Sequence, residues 1–342
     1  VADVIEIGVI GGSGFAGSEV LRLAAAHPEL HVAWATGETQ AGTPIGELYP
    51  ALAAAHRGES FVAYDPGLLD EVDVAILALP HGASQSLMAE VVDRVRWVID
   101  LAADFRLEDP SLYDVWYGAS HDEPDLLASF TYGLPELYRT DIAEAARVAA
   151  PGCYPTSVIL AVAPFVFGGA ISPTRVIADA ASGVSGAGRQ VKPNTAFCTV
   201  DEDFCAYGLV THRHTPEMDV HTGASVLFTP HLAPMNRGIL ATCYGEATDA
   251  VSSTEDALDV LVRAYADEPF VVVSERPPST KATTGSNCAH LTARYDERTG
   301  TVISICAIDN LVKGTAGQAI QCLNLMAGLP ETLGLPLVGL AP

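Results

Sequence analysis

The segment from Val148 to Pro164 reads VAAPGCYPTSVILAVAP: a short apolar strand, a Pro151-Gly152 break, a cysteine, then an apolar helix. Pro155 falls in the first helical turn, where the missing N–H has no helical partner to lose. Cys153 is therefore expected at a helix N-terminus, where the dipole favours thiolate, the form that attacks carbonyl carbon. Such a nucleophile needs an acid/base partner. Among ten histidines, His212 and His214 stand out because they bracket Arg213 just before Thr215-Pro216. Strand alternation is expected to put the two histidines on one face and Arg213 on the other. The run Ser182–Arg189, SGVSGAGR, with Lys192 soon after, offers backbone amides, hydroxyls and cations to an anion. Arg106, in the segment DLAADFRL, is a second anion candidate, placed after the strand that starts at Trp97.

A parallel sheet must position these groups. Ile5–Ile10 reads as a strand that ends at Gly11, and Phe15–Ala26 as a helix stopped by His27-Pro28. Between them lies Gly11-Gly12-Ser13-Gly14-Phe15-Ala16-Gly17. A glycine-rich turn between strand and helix is the context that cradles a dinucleotide pyrophosphate on free helix N–H groups. Strands are expected at 31–35, 72–79 and 97–101, a helix at 83–94, and loop with short helix over 104–139. Beyond Cys153 the texture becomes β-rich, with strands near 175–180, 225–230, 239–246, 270–273, 290–295 and 301–309. One amphipathic helix, 254–266, interrupts them, and a final helix over 314–327 returns to the first domain. The expected fold is α/β: an amino-terminal Rossmann-type, doubly wound parallel sheet followed by a mixed α+β domain.

Composition narrows the function. Eighteen basic residues against 42 acidic ones give a net charge of −24, which repels nucleic acid and anionic membranes. No apolar stretch reaches membrane-spanning length. The amino terminus reads as a strand and not as a secretory leader. The seven cysteines are odd in number and scattered, without a CxxC pair, which argues against a disulfide framework or metal site. A cytoplasmic setting is expected, with most cysteines buried. Glu38, after the second strand, is placed to accept a ribose 2′-OH and so favours NAD. Thr36, Thr39 and the nearby glycines suit a 2′-phosphate pocket equally, so residue types alone leave the choice open.

The chain resembles the N-acetyl-γ-glutamyl-phosphate reductase family of the aspartate-semialdehyde dehydrogenase superfamily over nearly its whole length. The likeness rests on GGSGFAG (11–17), LALPHGAS (77–84), DLAADFRL (100–107), YGLPE (132–136), APGCYPT (150–156), SGVSGAGR (182–189), HRHTPE (212–217), PHLAPMNRGILAT (230–242) and DNLVKGTAGQA (309–319). APGCYPT and HRHTPE together are its most specific part. The resemblance implies a thioester on Cys153, His214 as general acid/base, and NADP as cofactor. It implies an NADP-binding domain from residues 1–152 plus 313–342, and a catalytic and oligomerisation domain from 153–312. Gly11, Ser13, Gly14, Phe15, Ala16, Gly17, Thr36, Pro80, His81, Ser182, Gly183 and Asn310 would contact cofactor. Arg106, Ser185, Arg189, Lys192, Tyr207, His212 and Arg213 would contact substrate, with no metal and a homodimeric or homotetrameric assembly. One departure matters: many members carry Ser-Arg after the second strand to grip a 2′-phosphate, whereas this chain has Thr36-Gly37-Glu38-Thr39. The alternatives are a lysine-pathway aminoadipyl-phosphate reductase acting on a carrier protein, an aspartate-semialdehyde dehydrogenase, and a non-catalytic NADP-binding regulator.

Overall fold

A computed structural model describes residues 4–340 and divides the chain into two compact units, 1–151 with 315–335 and 152–314 with 336–342. In the first unit, strands β1 (Ile5–Ile10), β2 (Leu30–Ala35), β3 (Val74–Leu77), β4 (Trp97–Asp100), β5 (Thr131–Tyr132) and β6 (Arg147–Ala149) form one sheet. Its order is β2-β1-β3-β4-β6-β5, and every pairing is parallel. β3 and β4 are apolar throughout apart from the terminal Asp100 and are fully buried, as strands covered on both faces must be. Helices α1 (Phe15–Ala24), α2 (Gln85–Val92), α3 (Ser111–Tyr117) and α4 (Pro135–Glu144) make four of the connections, and short helical turns make the one from β2 to β3. One core cluster gathers Ile10, Trp34, Leu77, Met88, Phe105 and Phe130. The strand order reverses beside β1, where β2 and β3 flank it, and this is the switch point at which such sheets bind ligands.

The carboxyl-terminal helix, Gly317–Met326, belongs to this unit. Buried polar side chains fix it there: Gln318 Nε2 donates to the Gly133 carbonyl at 2.7 Å, and Asn324 Oδ1 lies 3.0 Å from His27 Nε2. Residues 336–340, however, group with the second unit, where Leu340 N–H donates to the Thr284 carbonyl and Asn287 N–H to that of Pro336. The tail thus divides, instead of returning as one piece to the first domain.

In the second unit, β7 (Ile171–Gly183), β8 (Cys205–Ala206), β9 (Val226–Ala233), β10 (Ile239–Ala247), β11 (Val271–Val273), β12 (Ala289–Asp296) and β13 (Thr301–Ile308) form a mixed sheet of order β11-β12-β13-β10-β7-β9-β8. Helices α5 (Cys153–Phe167), α6 (Thr215–Thr222) and α7 (Thr254–Ala264) pack with it. α5 is apolar nearly all round and buried, so it is the core of this unit. Pro164 lies inside α5 and removes the N–H that would reach the Leu160 carbonyl. The Tyr265 hydroxyl supplies the missing bond, donating to that carbonyl at 2.7 Å.

Several expectations need correction. The 104–139 stretch holds α3, the short strand β5 and the start of α4 as well as loop. β7 is longer than anticipated, β8 was not foreseen, and the last helix opens with a π-helical turn over Val312–Ala316. The cysteines follow expectation in that most are buried, Cys243, Cys288, Cys306 and Cys322, while Cys198 and Cys205 are exposed and Cys153 is intermediate.

Candidate active site

Cys153 is the first residue of α5, with Gly152 as its N-cap. Gly152 has no side chain with which to cap this end of the helix. Gly152 is confined from two directions by α6. Its N–H donates to a Glu217 carboxylate oxygen at 2.6 Å, and Glu217 is only 1 % exposed. A Cβ on Gly152 would lie 2.6 Å from His214 Nε2, so only glycine lets the imidazole rest on this backbone. A Cβ on Gly314 would likewise fall 2.9 Å from the Cys153 Cβ, which explains a glycine in the π-helical turn.

His212 and His214 do not lie on a strand. They occupy the turn that leads into α6, and the strand-alternation argument fails for them. They are nonetheless adjacent, with ring centroids 4.8 Å apart. The His214 N–H donates to His212 Nδ1 at 3.2 Å, which leaves the His212 proton on Nε2. Burial and the neighbouring Arg213 guanidinium push the His212 pKa down to about 4, so the ring is neutral at pH 7. Tyr207 donates to the Tyr154 hydroxyl at 3.2 Å, and Tyr154 to the His231 carbonyl at 2.9 Å. Burial pushes the Tyr207 hydroxyl up to about 12, keeping it protonated.

A cavity of about 310 Å³ joins these groups. Cys153, Tyr154, Tyr207, His212, Arg213 and His214 line one side of it, and Ser182, Gly183 and Lys192 another. The sheet register explains the meeting: Ser182 at the end of β7 pairs with Leu232 of β9 and Ile239 of β10, and Ile239 with Ile308 of β13. The loop after β7 therefore emerges beside Asn310. Asn310 accepts the Gly238 N–H at 2.7 Å and donates to the Ser185 hydroxyl at 2.9 Å, so its amide organises the loop. Ser185, Arg189 and Asn310 do not themselves line the cavity. Sequence reasoning missed Tyr154, Asn194 and Thr195 as lining residues, and Glu217 as the clasp on Gly152. Tyr154 and Glu217 carried a signal, their places within APGCYPT and HRHTPE.

Arg106 is in the first unit and is not an open cation. Its Nε donates to the Ala150 carbonyl at 2.7 Å and its Nη2 to the Leu101 carbonyl at 2.9 Å, so it braces strand ends. The glycine loop occupies the switch point. Gly11 has φ +88°, and a Cβ there would lie 2.6 Å from the Ala78 carbonyl oxygen; one on Gly17 would lie 2.5 Å from the Gly11 oxygen. The Gly11 N–H donates to the Thr36 hydroxyl at 3.0 Å, so Thr36 shapes the loop, while Glu38 is exposed. α1 starts at Gly14 without a side-chain cap, leaving N–H groups suited to a pyrophosphate. After β3, the His81 ring pairs with Asp104 at 2.5 Å. Burial opposes ionisation of Asp104, but bonds from His81, the Gly82 N–H and Ser84 outweigh it and bring the pKa to about 2. Pro80 and His81 thus sit in the first unit with the glycine loop, whereas Ser182, Gly183 and Asn310 sit in the second.

Among the described residues no group of three or more His, Cys, Asp or Glu could hold a metal ion, and no helix is long and apolar enough to cross a membrane. Residues 6–145 match the semialdehyde dehydrogenase NAD-binding domain, and 153–310 the semialdehyde dehydrogenase dimerisation domain. The N-acetyl-gamma-glutamyl-phosphate reductase of Citrifermentans bemidjiense is 44 % identical over 99 % of this chain and 100 % of its own. That of Desulforamulus reducens is 43 % identical with the same coverage. Aspartate semialdehyde dehydrogenase II of Vibrio cholerae, solved with ASA, shares the fold at a TM-score of 0.70 and 14 % identity, covering 96 % of this chain and 99 % of that one. The Candida albicans aspartate semialdehyde dehydrogenase, solved with NADP, gives 0.70 and 14 % over 95 % and 99 %. With full-length identity of this order and both halves matched, the chain belongs to the N-acetyl-gamma-glutamyl-phosphate reductase family of the semialdehyde dehydrogenases and is an oxidoreductase.

Proposed function

We propose that this chain reduces N-acetyl-γ-glutamyl phosphate to the corresponding semialdehyde with NADPH, through a thioester on Cys153. The observation that carries the reading is the convergence of Cys153, at an uncapped helix start, with His214 on one cavity. The Cys153 thiolate attacks the γ-carbonyl carbon, and backbone N–H groups at the start of α5 receive the oxyanion. Phosphate leaves as the C–O bond breaks, its charge met by Lys192 and Arg213 of the cavity wall. Arg106, in the first unit, donates to the Ala150 and Leu101 carbonyls and is assigned a bracing role in this reading. When bound, the reduced nicotinamide supplies the hydride that reduces the thioester. His214 then protonates the departing sulfur side as the thiohemiacetal collapses, and the aldehyde is freed. Neutral His212 orients the substrate by donating from Nε2, and the Tyr207 oxygen, its proton committed to Tyr154, is left to accept.

The glycine loop and open α1 terminus suit a dinucleotide, and NADP is the member of that class the family pattern favours. The tied Thr36 and exposed Glu38 mean that a 2′-phosphate would be held by backbone and small hydroxyl groups, not by an arginine. The names of the relatives favour the arginine-route substrate over a carrier-bound one. Homo-oligomerisation through the second unit and a cytoplasmic setting complete the reading. The test is phosphate-dependent oxidation of N-acetylglutamate semialdehyde, followed by the appearance of reduced nicotinamide with NADP⁺ and NAD⁺ in parallel. Turnover that needs phosphate and prefers NADP⁺ is expected. Failure with both cofactors, from folded protein, would refute the substrate.

A further inference from the structure

Ser84, at the amino end of α2, stands between two buried carboxylates. Its hydroxyl lies 2.7 Å from Asp104 Oδ2 and 3.1 Å from Asp100 Oδ2, and all three residues are closed to solvent. A hydroxyl has one proton to give. Once it is given to Asp104, the nearer, the serine oxygen can only accept from Asp100, which must then be protonated. The charges agree with this order. Burial and the Asp104 charge raise Asp100 to about 7, whereas Asp104, despite burial, is held ionised by its bonds from His81, Gly82 and Ser84. Asp104 accepts the Gly82 N–H at 2.8 Å and the Ser84 and Gln85 N–H groups at 3.1 and 3.2 Å, and its Oδ1 lies 2.5 Å from His81 Nδ1. Two lone pairs would repel at that distance, so Nδ1 is the protonated nitrogen of the neutral ring.

Other groups face the pair. The Arg106 guanidinium acts on Asp100 and Tyr113 of α3 on Asp104, and the His81 ring rests on Tyr117 at 4.4 Å. β3 and β6 set Leu77 and Ala149 beside Asp100, and the carboxyl-terminal helix packed on β4 has no charged residue. Asp104 thus holds the turn after β3, which starts beside Ala78, where Gly11 makes its close approach. We propose that Asp104 is the positioning residue of this turn for the dinucleotide, and that the Asp100 proton, bonded to Ser84, sets how firmly the turn is held. Dinucleotide affinity then falls as Asp100 ionises, because two carboxylates are left with one hydroxyl proton between them. The inference rests on the dinucleotide reading above and adds the device that tunes that site.

The experiment has two arms on the full chain. In the first, without cofactor, diethyl pyrocarbonate acylates unprotonated ring nitrogens, and peptide masses report His81 against the exposed His31. Asp104→Asn keeps an acceptor for the backbone N–H groups but turns its NH₂ towards His81, which moves the ring proton to Nε2. His81 labelling should therefore fall, whereas a merely structural role would loosen the turn and raise it. The second arm leaves Asp104 intact. NADPH affinity is measured by fluorescence at pH 6 and pH 8.5 for the parent and for Asp100→Asn, whose amide keeps a donor for Ser84 and does not ionise. The parent's Kd should rise over that interval by about 2–12-fold more than the variant's, the range of one net hydrogen bond. If that variant fails to fold, Ser84→Ala, which removes the link, should show the same loss of pH dependence. His81 labelling that is unchanged or raised in Asp104→Asn overturns the positioning role, and equal pH dependence in parent and variant overturns the role of the proton. No NADPH binding by the parent at either pH would count against the dinucleotide reading, while the labelling arm would still decide how Asp104 holds His81.

Discussion

The Glu217 carboxylate accepts the Gly152 N–H at 2.6 Å, so the residue before Cys153 is held by the helix that begins beside His214. Glu217→Ala would leave that buried N–H without its acceptor, a cost of about 1–3 kcal/mol. Glu217→Gln keeps an acceptor oxygen in place. Thermal unfolding and kcat should both fall markedly for the alanine variant and only slightly for glutamine. Equal damage in the two would assign the role to the charge of Glu217 instead of to this hydrogen bond.

Gly152→Ala places a Cβ at 2.6 Å from His214 Nε2. Either the imidazole or the start of α5 must move, at about 1–3 kcal/mol for such overpacking. We expect kcat to drop more than KM rises, because the displacement falls on the reacting groups. An unchanged kcat would mean that the ring shifts without consequence.

Cys153→Ser should abolish measurable turnover while leaving the fold and cofactor binding intact. Intact-mass measurement after mixing with acyl phosphate, without reductant, should find the acyl adduct on the parent chain and none on the variant. His214→Asn should lower kcat by about 10²–10⁴-fold. A full rate would move the proton transfer to His212.

His212 has a pKa of about 4 against an ordinary value of 6.5. Between those values the unfolded chain binds a proton that the native ring refuses. The native state therefore loses stability as pH falls from 6.5 to about 4, by up to about 3 kcal/mol. Asp100 acts in the opposite sense. Burial, reinforced by the Asp104 charge, raises it from 3.8 to about 7, so its contribution to stability declines as pH rises through that window. His212→Asn should remove only the first effect. Denaturant unfolding at pH 5 and pH 7.5 should then find the variant relatively more stable at pH 5 than the parent. An identical pH dependence would contradict the assignment.

Gly17→Ala puts a Cβ 2.5 Å from the Gly11 carbonyl oxygen, and backbone cannot yield cheaply. If the loop absorbs about 1–3 kcal/mol of overpacking, the Kd for NADPH should rise by roughly 5–150-fold. Fluorescence titration measures this. Undiminished affinity would place the dinucleotide elsewhere.

The helix start at Cys153 and the glycine loop were legible in the sequence because both are local. Pro-Gly-Cys before an apolar run dictates a helix start within a few residues, and the spacing of Gly11, Gly14 and Gly17 reflects close backbone approaches within a single turn. The alternation of strand and helix over the first half was readable for the same reason, since apolar runs and breakers act over short distances. Convergence was not local. The bond from Gly152 to Glu217 spans 65 residues, and that from Leu160 to Tyr265 spans 105. Folding over long separations brings Asn194, Thr195 and Tyr207 to the cavity beside Cys153, and no local pattern encodes it. Arg106 and His212 make the same point for charge. In the sequence one is a free cation and the other a candidate base. In the folded chain two carbonyls tie the guanidinium, and burial beside Arg213 with an N–H directed at Nδ1 keeps the imidazole neutral. Residue type sets what chemistry a side chain can do, but desolvation and hydrogen-bond partners, which only the tertiary structure supplies, decide which protonation state and which role it takes.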